Sequence, residues 1–292
     1  MSRISGPVGI TNRQFVTMPK ILVSIRPLRR YEDFRQCERI QTNVWGAVSA
    51  SAELLFVTQK NLGMVLGTFA GRRLVGFLFA FLGRRHGRLI HWSHMMAVER
   101  AYRDRGLGLK MKLAHRHHAL EQGIQSIAWS FDPLQSRNAA LNLARLGAEV
   151  DEYIPNCYGR FPSAIEKGLP SDRFVMNWRI ASRRVQRKLA GERPPLDQAI
   201  LTPVNRTVPD SRGLPVNQPL RLALLDSRLL VEIPTNTDRM RLLDIKLALR
   251  WRLETRRIFQ SYLTAGYRVE DFLPPTAASD NRAFYVLARA RA

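Results

Sequence analysis

The segment 103–108 reads Arg-Asp-Arg-Gly-Leu-Gly and lies between a predicted strand and a predicted helix. Gly106 and Gly108 let the chain turn tightly and approach a ligand without Cβ clashes. The backbone N–H groups and the positive end of the helix dipole then attract a phosphate. Arg103 and Arg105 add charge-assisted donors. The spacing therefore indicates a pyrophosphate-binding turn.

This turn differs from the two common nucleotide-binding patterns. No Gly-Lys-Ser/Thr follows it, which excludes a P-loop, and its glycine spacing and the preceding hairpin do not fit a Rossmann fingerprint. A glycine-rich turn between a strand and a helix also serves ordinary loop packing, so that alternative stays open.

The period of the apolar residues predicts the elements that position the turn. Strands are expected at 21–26, 64–70, 74–82, 89–98, 126–131, 148–154 and 173–180. Helices are expected at 31–42, within 44–59, at 107–122 and at 136–146. The order is β, α, α, β, β, β, α, β, α, β, β, which predicts an α/β fold.

A change of composition divides the chain after this region. Prolines at 194, 195, 203, 209, 215 and 219 predict a linker or a long extended connection. Beyond it we expect strands at 220–225, 229–233, 267–272 and 282–287, and an amphipathic helix within 238–265. The predicted segments are a flexible extension 1–20, a first domain 21–183, a Pro-rich linker 184–219 and a small α/β subdomain 220–292.

The 292-residue chain carries 46 basic and 24 acidic side chains, a net charge of +22. A solvated basic surface is the simplest explanation of such a charge; binding of a polyphosphate ligand in a cleft is the next alternative and an RNA surface a further one. No apolar run approaches the ~20 residues that cross a bilayer, no secretory signal is evident, and Cys37 and Cys157 cannot form a disulfide framework. We therefore expect a cytoplasmic protein that does not bind membranes.

Several motifs resemble the GNAT superfamily of N-acetyltransferases: the hairpin 71–77, the strand 94–98, the turn 103–108 and the helix after it. The segments 91–96, 129–142, 146–148, 153–159 and 168–173 resemble a bacterial subgroup of uncharacterised GNAT acetyltransferases. The resemblance implies a mixed, mostly antiparallel twisted sheet flanked by helices. The likeness is weaker over the smaller C-terminal α/β extension, where the segment 262–267 followed by a strand is compatible with a degenerate half of the same fold.

The resemblance further implies acetyl-CoA as co-substrate, bound in a V-shaped gap between the strand ending at Val98 and the strand ending at Phe131. An amine would attack the thioester directly. Asn138 would contact the cofactor or the substrate. The pantetheine arm would pair with the backbone of Met96, Ala97 and Val98, and the pyrophosphate with the N–H groups of Arg103, Asp104, Arg105, Gly106, Leu107, Gly108 and Leu109.

Direct attack requires that the amine lose its proton. His91 and His94 fall on opposite faces of a regular strand, and His94, nearer the cleft, is the candidate base or proton relay, with structural packing as its alternative. Glu99 and Asp132, at strand ends, are alternative bases that could instead cap or position loops.

The proton for the departing thiolate has no obvious source. The family's usual tyrosine, four residues before the glycine that ends the second motif helix, corresponds here to Leu143. Tyr158 is the candidate acid, with aromatic packing as its alternative. This departure leaves open an acyl-CoA sensor or interaction module without turnover.

No metal is expected. His115 and His118 fall near one helix face, but only Glu121 could join them. The sequence thus predicts an acyl-CoA-dependent N-acyltransferase that transfers acetyl from acetyl-CoA to an amine. The sequence does not specify which amine is the acceptor. The basic surface favours an anionic acceptor, nucleic acid is not the expected partner, and a homodimer stays open.

Overall fold

The computed structural model describes residues 22–159, 168–192, 201–276 and 282–289. The predicted extension 1–20 lies outside them. The first part of the chain forms a seven-stranded sheet in the order β1-β2-β3-β4-β5-β7-β6. Its strands are β1 (Val23–Pro27), β2 (Met64–Ala70), β3 (Arg73–Arg85), β4 (Arg88–Val98), β5 (Ser126–Phe131), β6 (Glu149–Ile154) and β7 (Arg173–Arg179).

Neighbouring strands in this sheet are antiparallel, except that β4 and β5 run parallel. Helices flank it: α1 (Tyr31–Trp45), α2 (Ala52–Lys60), α3 (Leu107–Glu121) and α4 (Ser136–Ala139), the last continued by a π-helical turn at Ala140–Arg145. The predicted class, a mixed and mostly antiparallel sheet with flanking helices, is confirmed.

Alternate residues of the central strands are buried under different helices. Phe77 and Phe79 of β3 pack with α1 and α2, whereas Leu78 and Ala80 pack with Met111 of α3. The strand is therefore apolar on both faces, as the continuous run at 74–82 predicts. Every helix in the described parts of the chain is too short or too polar to span a bilayer.

The second part of the chain forms a four-stranded sheet in the order β12-β13-β11-β8. A short hairpin of β9 (Thr207–Pro209) and β10 (Pro215–Asn217) lies beside it. The remaining elements are α5 (Arg183–Leu189), β8 (Thr202–Pro203), β11 (Arg228–Pro234), α6 (Thr237–Leu243), α7 (Ile245–Thr264), β12 (Tyr267–Leu273) and β13 (Arg282–Arg289). The predicted linker 184–219 thus contains regular elements, among them β8, which pairs with β11.

One predicted strand of the C-terminal part is not observed. The segment 220–225 is not a strand: its leucines alternate with exposed residues, but Arg221 N bonds to Val204 O and Leu224 N to the Tyr262 hydroxyl instead of to a strand ladder. The helix predicted within 238–265 is α7, and it is separated from α6 because Asp244 adopts an extended conformation and its side chain accepts a bond from Leu247 N as the N-cap of α7.

The second sheet repeats the topology of half of the first. The order β8-β11-β13-β12, parallel and then twice antiparallel, matches β4-β5-β7-β6, with α6 and α7 in the place of α4. Both edge strands also carry a register shift, between Val150 and Glu152 in β6 and between Val269 and Asp271 in β12. This topology agrees with a degenerate half of the same fold.

One apolar core joins the two sheets, since Phe174 of β7 packs against Phe259 and Tyr285 at ring-centroid distances of 4.6 and 5.6 Å. Two ion pairs from α7 flank it. Arg252 bonds both oxygens of Asp132 at 2.6 Å, and Arg256 bonds both oxygens of Asp172 at 2.9 and 2.6 Å. The C-terminal part is therefore anchored to the loops that follow β5 and precede β7.

The Arg252 pair gives a stability prediction. The Arg252 side chain is only 3% exposed, so Arg252→Met leaves the Asp132 carboxylate without its main partner and should lower the free energy of unfolding by about 3 kcal/mol. Arg250→Met on the same helix, which breaks a half-exposed pair with Glu254, should change it by less than about 1 kcal/mol. Urea unfolding of both variants checks this, and equal losses would contradict it.

Candidate functional site

β4 and β5 pair over only two residues each, His91 with Ile127 and Trp92 with Ala128. Beyond these pairs, β4 continues to Val98 along β3, and β5 continues to Phe131 along β7. The two parallel strands therefore part, and a gap opens toward their carboxyl ends. This loss of pairing is what the predicted V-shaped gap between Val98 and Phe131 requires, and Met96, Ala97 and Val98 lie on β4 beyond the last pair.

The turn 103–109 lies beyond the open end of this gap and leads into α3. Gly106 is the N-cap, with φ of +71°, and no side chain in the described residues caps the helix. The first N–H groups of α3 thus lack intrahelical acceptors. Arg103 Nε donates to Val98 O at 3.0 Å, which fixes the turn to the end of β4. The result is a positively polarised helix start that an anion can approach.

An ion pair between Asp104 and Arg137 connects this turn to α4. Asp104 itself has φ of +62°, in the left-handed region. The neighbour of Arg137 on α4 is Asn138, which is exposed. Across the gap, a Cβ added at Gly108 would lie 3.6 Å from both Leu141 and Met96. The residues predicted to hold a cofactor therefore lie near one another, at the end of β4 and the starts of α3 and α4.

His94 is the extra residue of a bulge in β4, because Phe79 pairs with Met95 and Ala80 pairs with Ser93. Its imidazole is exposed at one side and packs against the rings of Phe79 and Phe81, at centroid distances of 5.9 and 5.8 Å. Desolvation by this packing lowers the pKa of His94. His94 thus lies two residues beyond the last β4–β5 pair, on the face that α1 and α2 cover.

Tyr158 reaches the same region from the loop between β6 and β7. Its hydroxyl lies 3.2 Å from the Ser130 Oγ, and Ser130 lies on β5 two residues beyond the last pair. The Tyr158 N–H donates to Ser171 Oγ at 2.9 Å, which holds the loop in place. His94 and Tyr158, far apart in sequence, are thus brought to the two strands that border the gap.

Glu99 and Asp132 have ionic partners. Glu99 is buried and pairs with Arg39 and Arg73, the latter at 3.0 Å. Asp132 pairs with Arg252 and also accepts a bond from Leu134 N at 2.8 Å. Carboxylates held in this way have their lone pairs occupied, so the loop-positioning alternative fits both residues better than a role as base.

Sequence reasoning missed Lys112, which lies on α3 and is buried. Its ammonium donates to Ser93 Oγ at 3.0 Å and lies 3.7 Å from the centroid of the Trp129 ring. Burial lowers the pKa of Lys112 to about 7. A signal was available in the sequence, since lysine is rare in this arginine-rich chain and this one follows Met111 in the stripe of α3 that faces the sheet.

A second buried pair lies beside Lys112. His91 Nδ1 and His115 Nε2 are 3.0 Å apart, and both rings are fully buried. Burial lowers the pKa of both, and the charge of Lys112 lowers that of His115 further. His117 and His118 are instead paired with Glu121, at 3.3 and 3.0 Å. Within the described residues the histidines therefore do not converge as a metal site.

Comparison with solved structures returns N-acetyltransferases. The ribosomal-protein-S18-alanine N-acetyltransferase of Escherichia coli is 15% identical, with 55% of this chain and 96% of that chain covered and a TM-score of 0.45. Arabidopsis thaliana Naa50 in complex with a bisubstrate analogue is 15% identical, with 53% of this chain and 97% of that chain covered and a TM-score of 0.43. A GNAT-family acetyltransferase from Streptococcus pneumoniae is 16% identical, with 53% of this chain and 98% of that chain covered and a TM-score of 0.43.

No protein-family model matches the chain, and no curated protein matches it. At these identities and TM-scores the similar structures carry no argument about chemistry.

The buried histidines give a pH prediction. A buried neutral His115 does not take up a proton where the unfolded chain does, so stability should fall as pH drops below about 6.5, by up to about 1.4 kcal/mol per pH unit. His115→Gln should make this slope shallower, whereas His117→Gln, at an exposed position, should leave it unchanged. Urea unfolding between pH 5 and pH 7.5 measures the slopes, and identical slopes in all three proteins would refute the prediction.

Proposed function

We propose that this protein is an acyl-CoA-dependent N-acyltransferase of the GNAT type, which transfers acetyl from acetyl-CoA to an amine by direct attack. The observation that carries the proposal is the parting of β4 and β5 in front of an uncapped helix start. A parallel pair that separates after two residues leaves strand edges to which an extended ligand can add. The adjoining turn supplies N–H groups for a pyrophosphate.

In this proposal the cofactor follows the gap. The amides of the pantetheine arm bond to the backbone of Met96, Ala97 and Val98, and the pyrophosphate lies against residues 103–109. Arg103 and Arg105 neutralise part of its charge. Asn138, which is exposed beside Arg137 on α4, bonds to the cofactor. The thioester then lies toward the closed end of the gap, near His94 and Ser130.

The reacting groups follow from this orientation. The acceptor amine forms a C–N bond to the thioester carbonyl carbon, and the C–S bond breaks with its electron pair on sulfur. His94, whose lowered pKa keeps the imidazole neutral at pH 7, takes the proton from the amine. Tyr158 lies near enough to Ser130 to approach the sulfur. The acceptor stays unspecified, and the net charge of +22 favours an anionic one.

A catalytically inactive acyl-CoA sensor is the second candidate. Leu143, in the position of the family's usual tyrosine, is fully buried in the apolar core with Trp129 and Leu146. This position therefore cannot supply a proton. A sensor would bind acetyl-CoA without releasing free CoA when amines are present.

Cofactor binding is the first test. Gly108→Val adds methyl groups at the opening between Met96 and Leu141 and should weaken acetyl-CoA binding by roughly a hundredfold, the loss expected when about 3 kcal/mol of charged hydrogen bonds is removed. Leu113→Val, an exposed position on the same helix, should bind normally. Calorimetric titration with acetyl-CoA, with ATP and NAD as controls at fixed salt, decides the matter. Absence of binding by the folded wild-type chain would exclude both candidates.

The base is tested by turnover. With an amine panel and a thiol reagent that detects CoA, His94→Gln should lower kcat/KM by about 10²- to 10⁴-fold and remove the acidic limb of its pH profile. A fall in kcat in Tyr158→Phe with acetyl-CoA binding retained would identify this hydroxyl as the acid, and His117→Gln should change neither kcat nor binding. An unaltered pH profile in His94→Gln would eliminate this base.

A further inference from the structure

The position of Lys112 is the starting point. The last β4–β5 pair is Trp92 with Ala128, and the next residues on the two strands are Ser93 and Trp129. The Lys112 ammonium touches both: it bonds to the Ser93 hydroxyl and lies over the Trp129 ring. It therefore lies at the closed end of the gap, at the place where the two strands begin to separate.

The surroundings of this ammonium are poor in negative charge. In the described part of the chain no carboxylate bonds to it, and its relative exposure is 3%. The titratable groups nearby are His115 on α3 and His91 on β4, which burial keeps neutral. A buried cation without a counterion is costly. An anion formed at the closed end of the gap would therefore be stabilised.

Lys112 also lies on the face of the sheet from which the acid is missing. α3 and the π-helical turn with Leu143 cover the same face, since Ala119, Leu143 and Trp129 belong to one core cluster. Tyr158 and His94 approach from the other face. Leu143 cannot donate a proton on this face of the sheet, but Lys112 of α3 can.

On the basis of the proposed function, we infer that Lys112 is the catalytic acid, which stabilises the departing CoA thiolate and protonates it. When the C–S bond breaks, the electron pair goes to sulfur, and one proton moves from the Lys112 ammonium to sulfur. The products are the amide, CoA thiol and neutral Lys112, which regains a proton from water. The proton lost by the acceptor amine goes to His94 or to solvent.

A pKa near 7 suits this role, because the ideal acid titrates near the working pH and the group can be restored in each cycle. An arginine at the same position would keep its charge but would not release a proton. Charge stabilisation and proton donation can therefore be separated by substitution.

The test uses CoA alone and needs no acceptor. Bound CoA is titrated with pH while the ultraviolet absorbance of the thiolate is followed in the wild type, Lys112→Met and Lys112→Arg. An ammonium beside the sulfur should make the thiol pKa of bound CoA about one unit or more lower in the wild type and Lys112→Arg than in Lys112→Met. With amines, both variants should lose about 10²-fold or more in kcat with little change in acetyl-CoA binding.

The outcomes are distinguishable. If calorimetry shows no CoA binding by the wild type, the proposed function fails. If CoA binds and its thiol pKa is the same in the wild type and Lys112→Met, Lys112 does not lie at the sulfur and the inference is overturned. Methionine fills a similar volume and removes an unpaired buried charge, so Lys112→Met should fold. If it does not, the thiol pKa of CoA bound to Lys112→Arg is compared with that of free CoA, and equal values overturn the inference.

Discussion

The separation of β4 and β5 is the constraint on which the rest of this structure depends. Two parallel strands that continued to pair would have no free edges and no gap. Ser93 and Trp129, the first residues beyond the last pair, are instead bridged by the side chain of Lys112 from α3. A long side chain between the strands is compatible with their separation, whereas a direct ladder bond is not. The bulge at His94 places its imidazole against Phe79 and Phe81 of β3, on the side of β4 that faces away from β5.

The C-terminal part holds the far side of the opening. Asp132 bonds to Arg252, Ser136 Oγ to Thr235 O at 3.0 Å, and Tyr285 Oη to Pro133 O at 2.7 Å. These bonds fix the loop that leads from β5 into α4. Its next residue, Arg137, pairs with Asp104 of the anion-binding turn. A continuous set of polar contacts therefore runs from α7 to the start of α3, and through these contacts the C-terminal part contributes to the geometry of the site.

Local patterns predicted the strands, the helices and the turn at 103–109, because period, glycine spacing and flanking charge are properties of neighbouring residues. The pairing of Ser130 with Tyr158 and the ion pair of Asp132 with Arg252 join residues 28 and 120 positions apart, and no local pattern encodes them. The segment 220–225 was wrongly predicted as a strand for a related reason. Its alternation of leucines reflects burial against the core, while Leu224 N bonds to the Tyr262 hydroxyl and Arg221 N to the isolated carbonyl of Val204.

The second sheet shows what closes such a gap. β8 and β11 are also parallel and pair at two positions, Thr202 with Leu229 and Pro203 with Leu230. Two residues beyond the last pair, where the first sheet has His94, stands Asn205, whose amide bonds to both the N–H and the C=O of Glu232. The Asn205 side chain thus replaces the backbone ladder bonds and holds β8 and β11 together at this position. In the second half-fold the Asn205 amide joins the two parallel strands. In the first, His94 packs against β3 instead, and Lys112 contacts both strands only at the last pair, so the strands separate beyond it.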